Sequence, residues 1–242
     1  MKTIILAGGF GTRLSEYTDV IPKPMVMINR KPILIRVINI FTYYGFKDFY
    51  LALGYKAELV SSFFNSQINQ STSYKINNEN INIHLIDTGL ETMTGGRVRR
   101  LKEDIGNEAF LLTYGDGVGD IDIGELVKFH KSHKKMVTVT AVRPPARFGA
   151  LTIEGDYVTN FEEKNPLSEG WINGGFFVIE PEFFDFIKDD QTILERNPLE
   201  NVANQGQMCA YKHEGFWQCM DTKRDKDFLE ESSLIGDEPW KT

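Results

Sequence analysis

The sequence predicts an α/β fold, a mostly parallel mixed sheet covered by helices on both faces. Three observations carry that expectation. Short apolar runs alternate with segments of helical period, the connections between them are short, and the first apolar run stops in a glycine-rich turn, GGFGTR at Gly8–Arg13. Alternation at this pitch implies crossover connections, and crossovers that contain helices bury a parallel sheet on both sides.

Taken in order, Lys2–Ala7 reads as a buried strand that runs into the glycine turn. In Pro32–Tyr44 the apolar residues Ile33, Leu34, Val37, Ile38 and Phe41 follow the helical period, with proline at the start and Gly45 as the stop. Asp48–Leu53 is a second strand and Ala57–Phe64 a second helix. The stretch Asn65–Asn82 is rich in Asn, Ser and Gln with weak periodicity, so a loop or irregular excursion is expected there. A strand at Ile83–Ile86, a helix starting near Gly96 and a strand at Ala109–Thr113 follow, the last stopping at Tyr-Gly-Asp-Gly. Helix Ile123–His133 and strand Met136–Val142 continue the alternation. From about Phe148 the pattern changes to strands FGALTI, YVTNFEEK and INGGFFVIE and a helix PEFFDFIKD, a smaller α+β elaboration on the same core. No repeat, low-complexity tract or linker divides the chain, so one domain over residues 1–242 is expected.

Composition narrows the function classes. With 242 residues, 41% hydrophobic and 25% charged, the chain buries a full core and has neither a disordered nor a membrane-spanning character. A net charge of −7 argues against a general nucleic-acid binder, which needs a broad excess of Lys and Arg. Any phosphate must therefore be held locally. Cys209 and Cys219 have neither zinc-ligand nor disulfide-framework spacing. With no apolar run of membrane-span length and only one basic residue ahead of a short apolar start, a cytoplasmic protein with no membrane partner is expected.

In an open parallel sheet, ligands bind beyond the carboxyl ends of the strands, where a glycine turn directs backbone N–H groups at an anion. Gly8–Arg13 occupies such a place, yet the two familiar fingerprints fail. There is no GK[ST] for a P-loop, and Leu14 stands where GxGxxG needs its third glycine. A turn that merely saves space is the alternative. Arg13, and Lys23 framed by prolines in Pro-Lys-Pro, weigh against it, because rigidly placed cations beside an anion nest have little structural purpose.

GGxGTR followed by PKP resembles the signature of the sugar-nucleotide pyrophosphorylases, which join a nucleoside triphosphate to a sugar 1-phosphate. The likeness continues through DTG at Asp87–Gly89, MTGGR at Met93–Arg97, TYGDG at Thr113–Gly117, RFGAL at Arg147–Leu151, INGGFFV at Ile172–Val178 and FWQCMDT at Phe216–Thr222. TGGR, YGDG and FWQxMDT resemble most the branch that makes cytidylyl sugars from glucose 1-phosphate. The fold so implied is a Rossmann-like nucleotide-diphospho-sugar transferase. Residues 1–145 form the nucleotide-binding core in this reading, and residues 146–242 bind the acceptor and complete the metal site. A homo-oligomer is expected.

In this chemistry a phosphate oxygen of the acceptor attacks the α-phosphorus of the triphosphate in line and pyrophosphate leaves, so repulsion between two anions is the central difficulty. The resemblance implies that Arg13 and the backbone of Gly8, Gly11 and Thr12 hold the β and γ phosphates, Lys23 the α-phosphate, and Lys164 the acceptor's phosphate. It implies one Mg²⁺ between Asp116 and Asp221, a hard cation suited to carboxylate and phosphate oxygens. Leu6, Ala7, Gly9 and Gly115 complete the nucleotide site, and Gly8, Thr94, Gly95 and Arg97 lie by the pyrimidine of CTP. Gly149, Glu163, Asn173, Gly174 and Gly175 match positions that hold the sugar. No general base is needed, because the attacking phosphate is already ionised.

Bland readings stand beside these. Asp116 alone is a turn aspartate, Arg97 a surface cation in the cluster with Arg99, Arg100 and Lys102, and the four histidines are structural. Phe176, Phe177, Phe183, Phe184, Phe186 and Trp217 are read as core. Where the family has Glu-Lys-Pro the chain has Glu163-Lys164-Asn165, and the loop after Phe64 is short, which leaves a different phosphorylated acceptor open, even a non-sugar. A silent nucleotide-sugar sensor is the remaining alternative.

Overall fold

The computed structural model describes residues 1–144, 150–162 and 170–240. Eight strands form the main sheet: β1 Thr3–Leu6, β2 Asp48–Leu53, β3 Ser71–Ile76, β4 Glu79–Asp87, β5 Phe110–Tyr114, β6 Val137–Val142, β7 Ile172–Ile179 and β8 Met208–His213. Their spatial order is β8-β6-β7-β5-β1-β2-β4-β3. The pairs β1–β2, β1–β5, β2–β4 and β6–β8 are parallel. Strand β7 runs antiparallel between β5 and β6, and β3 runs antiparallel on the edge. The sheet is thus mixed and mostly parallel, as the sequence predicts.

Its centre follows from apolarity on both faces. In β1, Ile5 joins the cluster around helix Ile33–Tyr43, whereas Ile4 and Leu6 join the opposite cluster with Val98, Leu101 and Phe183. A strand buried on both sides has no polar face to offer water, hence the unbroken TIIL. The aromatic residues follow the core reading: Phe41 stacks on Phe176 and Phe110 on Phe184, all four buried.

Two sequence expectations are corrected. The stretch expected as a loop at Asn65–Asn82 contains β3 and the start of β4, joined by a two-residue turn in which Asn77 and Asn78 have φ of 47° and 67°. Asparagine tolerates the left-handed region that such hairpin turns require, so the Asn-rich composition was turn chemistry beside a polar edge strand. The helix expected over PEFFDFIKD is a 3₁₀ helix, Pro181–Phe186, ended by the extended backbone of Ile187. Strand β8 and the helices Asn197–Asn204 and Lys223–Leu234 lie beyond the elements read from sequence. The last helix has a capping box, Thr222 with Asp225.

Helix Thr94–Arg100 packs so closely on the segment before residue 192 that a Cβ on Gly96 would lie 2.5 Å from the Asp190 carbonyl oxygen and 2.6 Å from its Cα. Backbone cannot yield as a side chain does. Gly96→Ala is therefore expected to cost about 2 kcal/mol or more and to lower Tm by roughly 4–8 °C, read by calorimetry.

The parallel strands present their carboxyl ends at one edge: Leu6 leads into the glycine turn, Tyr114 into Gly115-Asp116, and Leu53 into Gly54. Among the described residues no helix is long and apolar enough to cross a membrane.

Candidate active site

The turn after β1 leaves the backbone N–H groups of Gly9, Phe10 and Gly11 with no protein acceptor among the described residues. Gly11 sits at φ +67°, and a Cβ there would press on Thr18 and Lys23, so glycine is required on both conformational and steric grounds. Such unpaired donors form an anion nest. The turn walls a cavity of about 410 Å³, to which Lys23, Pro24, Leu90–Thr94, Arg97 and Tyr114–Asp116 contribute.

At the mouth of this cavity two carboxylates and two cations meet. Lys23 Nζ donates to Asp116 Oδ2 at 2.5 Å and to Asp221 Oδ1 at 2.7 Å, and Arg13 Nη1 lies 2.8 Å from Asp221 Oδ2. Pro22 and Pro24 fix the 3₁₀ turn that carries Lys23, whose side chain is only 11% exposed. Burial works to lower the Lys23 pKa, but Asp116 and Asp221 outweigh it and hold the ammonium above its usual range. For Asp221 burial works upward, and hydrogen bonding and charge from Lys23, then Arg13, carry the net shift below the usual carboxylate range. Both groups are thus fully charged near neutrality.

Asp116 and Asp221 meet because a short antiparallel ladder joins Gly117–Gly119 to Trp217–Cys219. Met220 N donates to Asp116 O at 2.9 Å, and Asp225 accepts from the Asp221 amide and completes the capping box of helix Lys223–Leu234, whose N-cap is Thr222. Burial, then Asp221, pushes the neighbouring Cys219 thiol up to about 12.

Arg97 is no surface cation. It is 4% exposed, and its guanidinium donates to Leu53 O, Thr88 Oγ1, Gly89 O and Leu90 O. Burial draws its pKa down, with Asp87 opposing. A Cβ on Gly8 would lie 2.3 Å from Arg97 Nη1, so the turn's first glycine makes room for this cation.

Of the residues singled out from sequence, Leu6, Ala7, Gly8, Gly9, Gly11, Thr12, Arg13, Lys23, Thr94, Arg97, Gly115 and Asp116 line this one cavity, and Asp221 reaches it through Lys23 and Arg13. Gly95 stands behind it, its amide donating to Thr192 O. Asn173, Gly174 and Gly175 lie alongside: Asn173 Nδ2 is 3.4 Å from Tyr114 Oη, and Gly174 O accepts from Trp217 Nε1. Gly149, Glu163 and Lys164 lie outside the described residues. Asp122 caps the helix Ile123–His133, and Asp120 pairs with His213. His130 is buried between Thr138 and Glu180.

The sequence reading missed Phe10, Tyr114 and Glu195. Glu195 accepts from Tyr114 Oη at 2.6 Å and from Thr94 Oγ1 at 2.7 Å, tying the end of β5 to the helix at the cavity wall. Burial, then Glu195, raises the Tyr114 pKa, so the phenol remains a donor. Tyr114 was legible inside the TYGDG string. Glu195 has no local motif to mark it.

Comparison with known proteins shows the family. The family model described as Nucleotidyl transferase matches residues 2–235. The chain is 46% identical to the glucose-1-phosphate cytidylyltransferase of Salmonella typhi, over all of this chain and 99% of that one. It is 31% identical to the catalytic subunit beta of mannose-1-phosphate guanylyltransferase from Danio rerio, over 95% of this chain and 63% of the relative. Among solved structures, HddC from Yersinia pseudotuberculosis superposes with a TM-score of 0.73 at 25% identity, over 96% of this chain and 99% of that one.

Proposed function

Because the chain belongs to the nucleotidyl transferase family, we propose that it moves CMP from CTP onto the phosphate of a sugar 1-phosphate, glucose 1-phosphate first, and releases pyrophosphate. The observation that carries the proposal is the meeting of Arg13, Lys23, Asp116 and Asp221 at the mouth of the glycine-turn cavity. The nearly end-to-end identity with the Salmonella enzyme supports the choice of nucleotide and acceptor.

The donor set fits the expected metal. Asp116 Oδ2 and Asp221 Oδ1 already converge on one cation, the Lys23 ammonium, and Mg²⁺ needs few protein carboxylates because phosphate oxygens and waters fill its remaining positions. Asp116 and Asp221 would hold it, and when bound it offsets charge on the phosphate oxygens. The remaining work falls to the chain. Unpaired amides of Gly9, Phe10 and Gly11 receive terminal phosphate oxygens, while Arg13 and Lys23, freed from the carboxylates, turn their charge onto the triphosphate. At about 4 Å and an effective dielectric near 20, one such cation is worth about 4 kcal/mol before desolvation. Arg97 keeps the wall beside Gly8 in place against the base, and Lys164 takes the acceptor phosphate. In this reading residues 1–145 hold the nucleotide, and 146–242 bind the acceptor and complete the metal site.

A different phosphorylated acceptor is the second reading, favoured by Asn165 in place of the family's proline. Pyrophosphate release decides between them. With Mg²⁺ and glucose 1-phosphate, CTP is expected to turn over at least tenfold faster than UTP, dTTP or GTP. Turnover with another nucleotide alone sinks the base assignment, and turnover of CTP only with another phosphate sinks the acceptor.

A further inference from the structure

A second cavity, of about 400 Å³, lies between helix Ile33–Tyr43, the turn at Asn29 and the C-terminal segment. It shares no lining residue with the first. A neighbouring cavity of about 290 Å³ shares Lys31, Asn39 and Asn77 with it. Together they reach the size that small-molecule sites usually have.

Three side chains of the lining each keep one buried polar atom without a partner among the described residues: Arg36 Nε, Trp240 Nε1 and Asn39 Oδ1. Arg36 is 7% and Trp240 3% exposed. Arg36 is otherwise held, with Nη1 on Glu238, Nη2 on Ile28 O and Ser233 Oγ, and its plane 5.7 Å from the Trp240 ring. Native interiors seldom leave such atoms unsatisfied, and three on the lining of one cavity call for a missing partner. Two are donors and one is an acceptor. The rim adds Arg30, Lys31 and Lys75, none of which has an ion pair among the described residues. The one carboxylate of the lining, Glu238, is bound to Arg36. In a chain of net charge −7 this is a local excess of positive charge.

We propose that this cavity binds a small hydroxyl-bearing oxyanion, a phosphate or a carboxylate, at a site separate from the catalytic one. The anion answers the cations and the two orphaned donors, and the hydroxyl answers Asn39 Oδ1. Entry requires the side chains around Arg36 and Trp240 to shift slightly so that their buried atoms face the ligand.

The indole N–H of Trp240 reports this directly. The chain has three tryptophans, and Trp217, which donates to Gly174 O beside the catalytic ladder, serves as the reporter for the other cavity. In ¹H–¹⁵N spectra of the full chain, assigned with Trp240→Phe and Trp217→Phe, glycerol 3-phosphate, glycerate and uncharged glycerol are titrated separately. At least one anion is expected to move the Trp240 indole saturably, with a midpoint distinct from any shift at Trp217, and the tighter of the two identifies the anion class. Glycerol is expected to leave it unmoved. Lys31→Ala, at an exposed rim position, is expected to weaken the effect about tenfold, the scale of one charged hydrogen bond. The proposal is overturned if neither anion moves the Trp240 indole, if glycerol moves it equally, if it moves only in step with Trp217, or if Lys31→Ala leaves the midpoint unchanged.

Discussion

Asp221→Ala is expected to lower turnover about a hundredfold or more while the protein stays folded. The argument starts from the charges at the cavity mouth. Asp221 faces both Lys23 and Arg13, and Asp116 shares the same lysine. Without Asp221 one carboxylate remains to place a divalent cation, and Arg13 loses the partner that aims it. Its side chain is 71% exposed, and Asp221 is its one ion-pair partner among the described residues. Lys23→Ala is expected to fall as far by the opposite route, leaving two carboxylates with no ammonium between them and a triphosphate with one cation fewer. Steady-state pyrophosphate release gives the rates, and circular dichroism gives the fold. Wild-type turnover in either variant removes the role assigned here.

Arg97→Ala is expected to be the most destabilising single change near the site, by about 3 kcal/mol or more, since each buried acceptor left unpaired costs about 1–3 kcal/mol. Four acceptors on two chain segments, Leu53 and Thr88–Leu90, converge on this guanidinium, and truncation leaves them buried and unpaired. A void beside Gly8 would follow. Lysine carries one ammonium and cannot span the same acceptors, so Arg97→Lys is expected to recover only part of the loss. Calorimetry measures the stability. The affinity for CTP, measured separately on the folded fraction, shows whether the wall of the cavity has lost its shape.

Much of this arrangement was legible in the sequence, for reasons that can be stated. The central strands β1, β2 and β5 are buried on both faces and therefore read as mostly apolar runs, and the glycine turn is marked by Gly11, whose backbone is left-handed, and Gly8, which leaves room for Arg97. Strand β3 escaped because an edge strand has little to bury, and its polar residues looked like loop. Arg97 was singled out from sequence but its burial was not legible, since Arg97, Arg99 and Arg100 look alike in sequence and only packing separates the one beneath the turn. Glu195 escaped because its partners, Tyr114 and Thr94, lie far away in the chain.

The three-residue ladder that joins Gly117–Gly119 to Trp217–Cys219 bears on how the molecule comes into being. A nascent polypeptide cannot pair these two segments until Cys219 has left the ribosome, so Asp116 meets Asp221 only after the residues of all eight strands of the main sheet have been made. The closure spans about as many residues as the pairing of β1 with β5, so its entropic cost is similar and the order of synthesis alone makes it the later event.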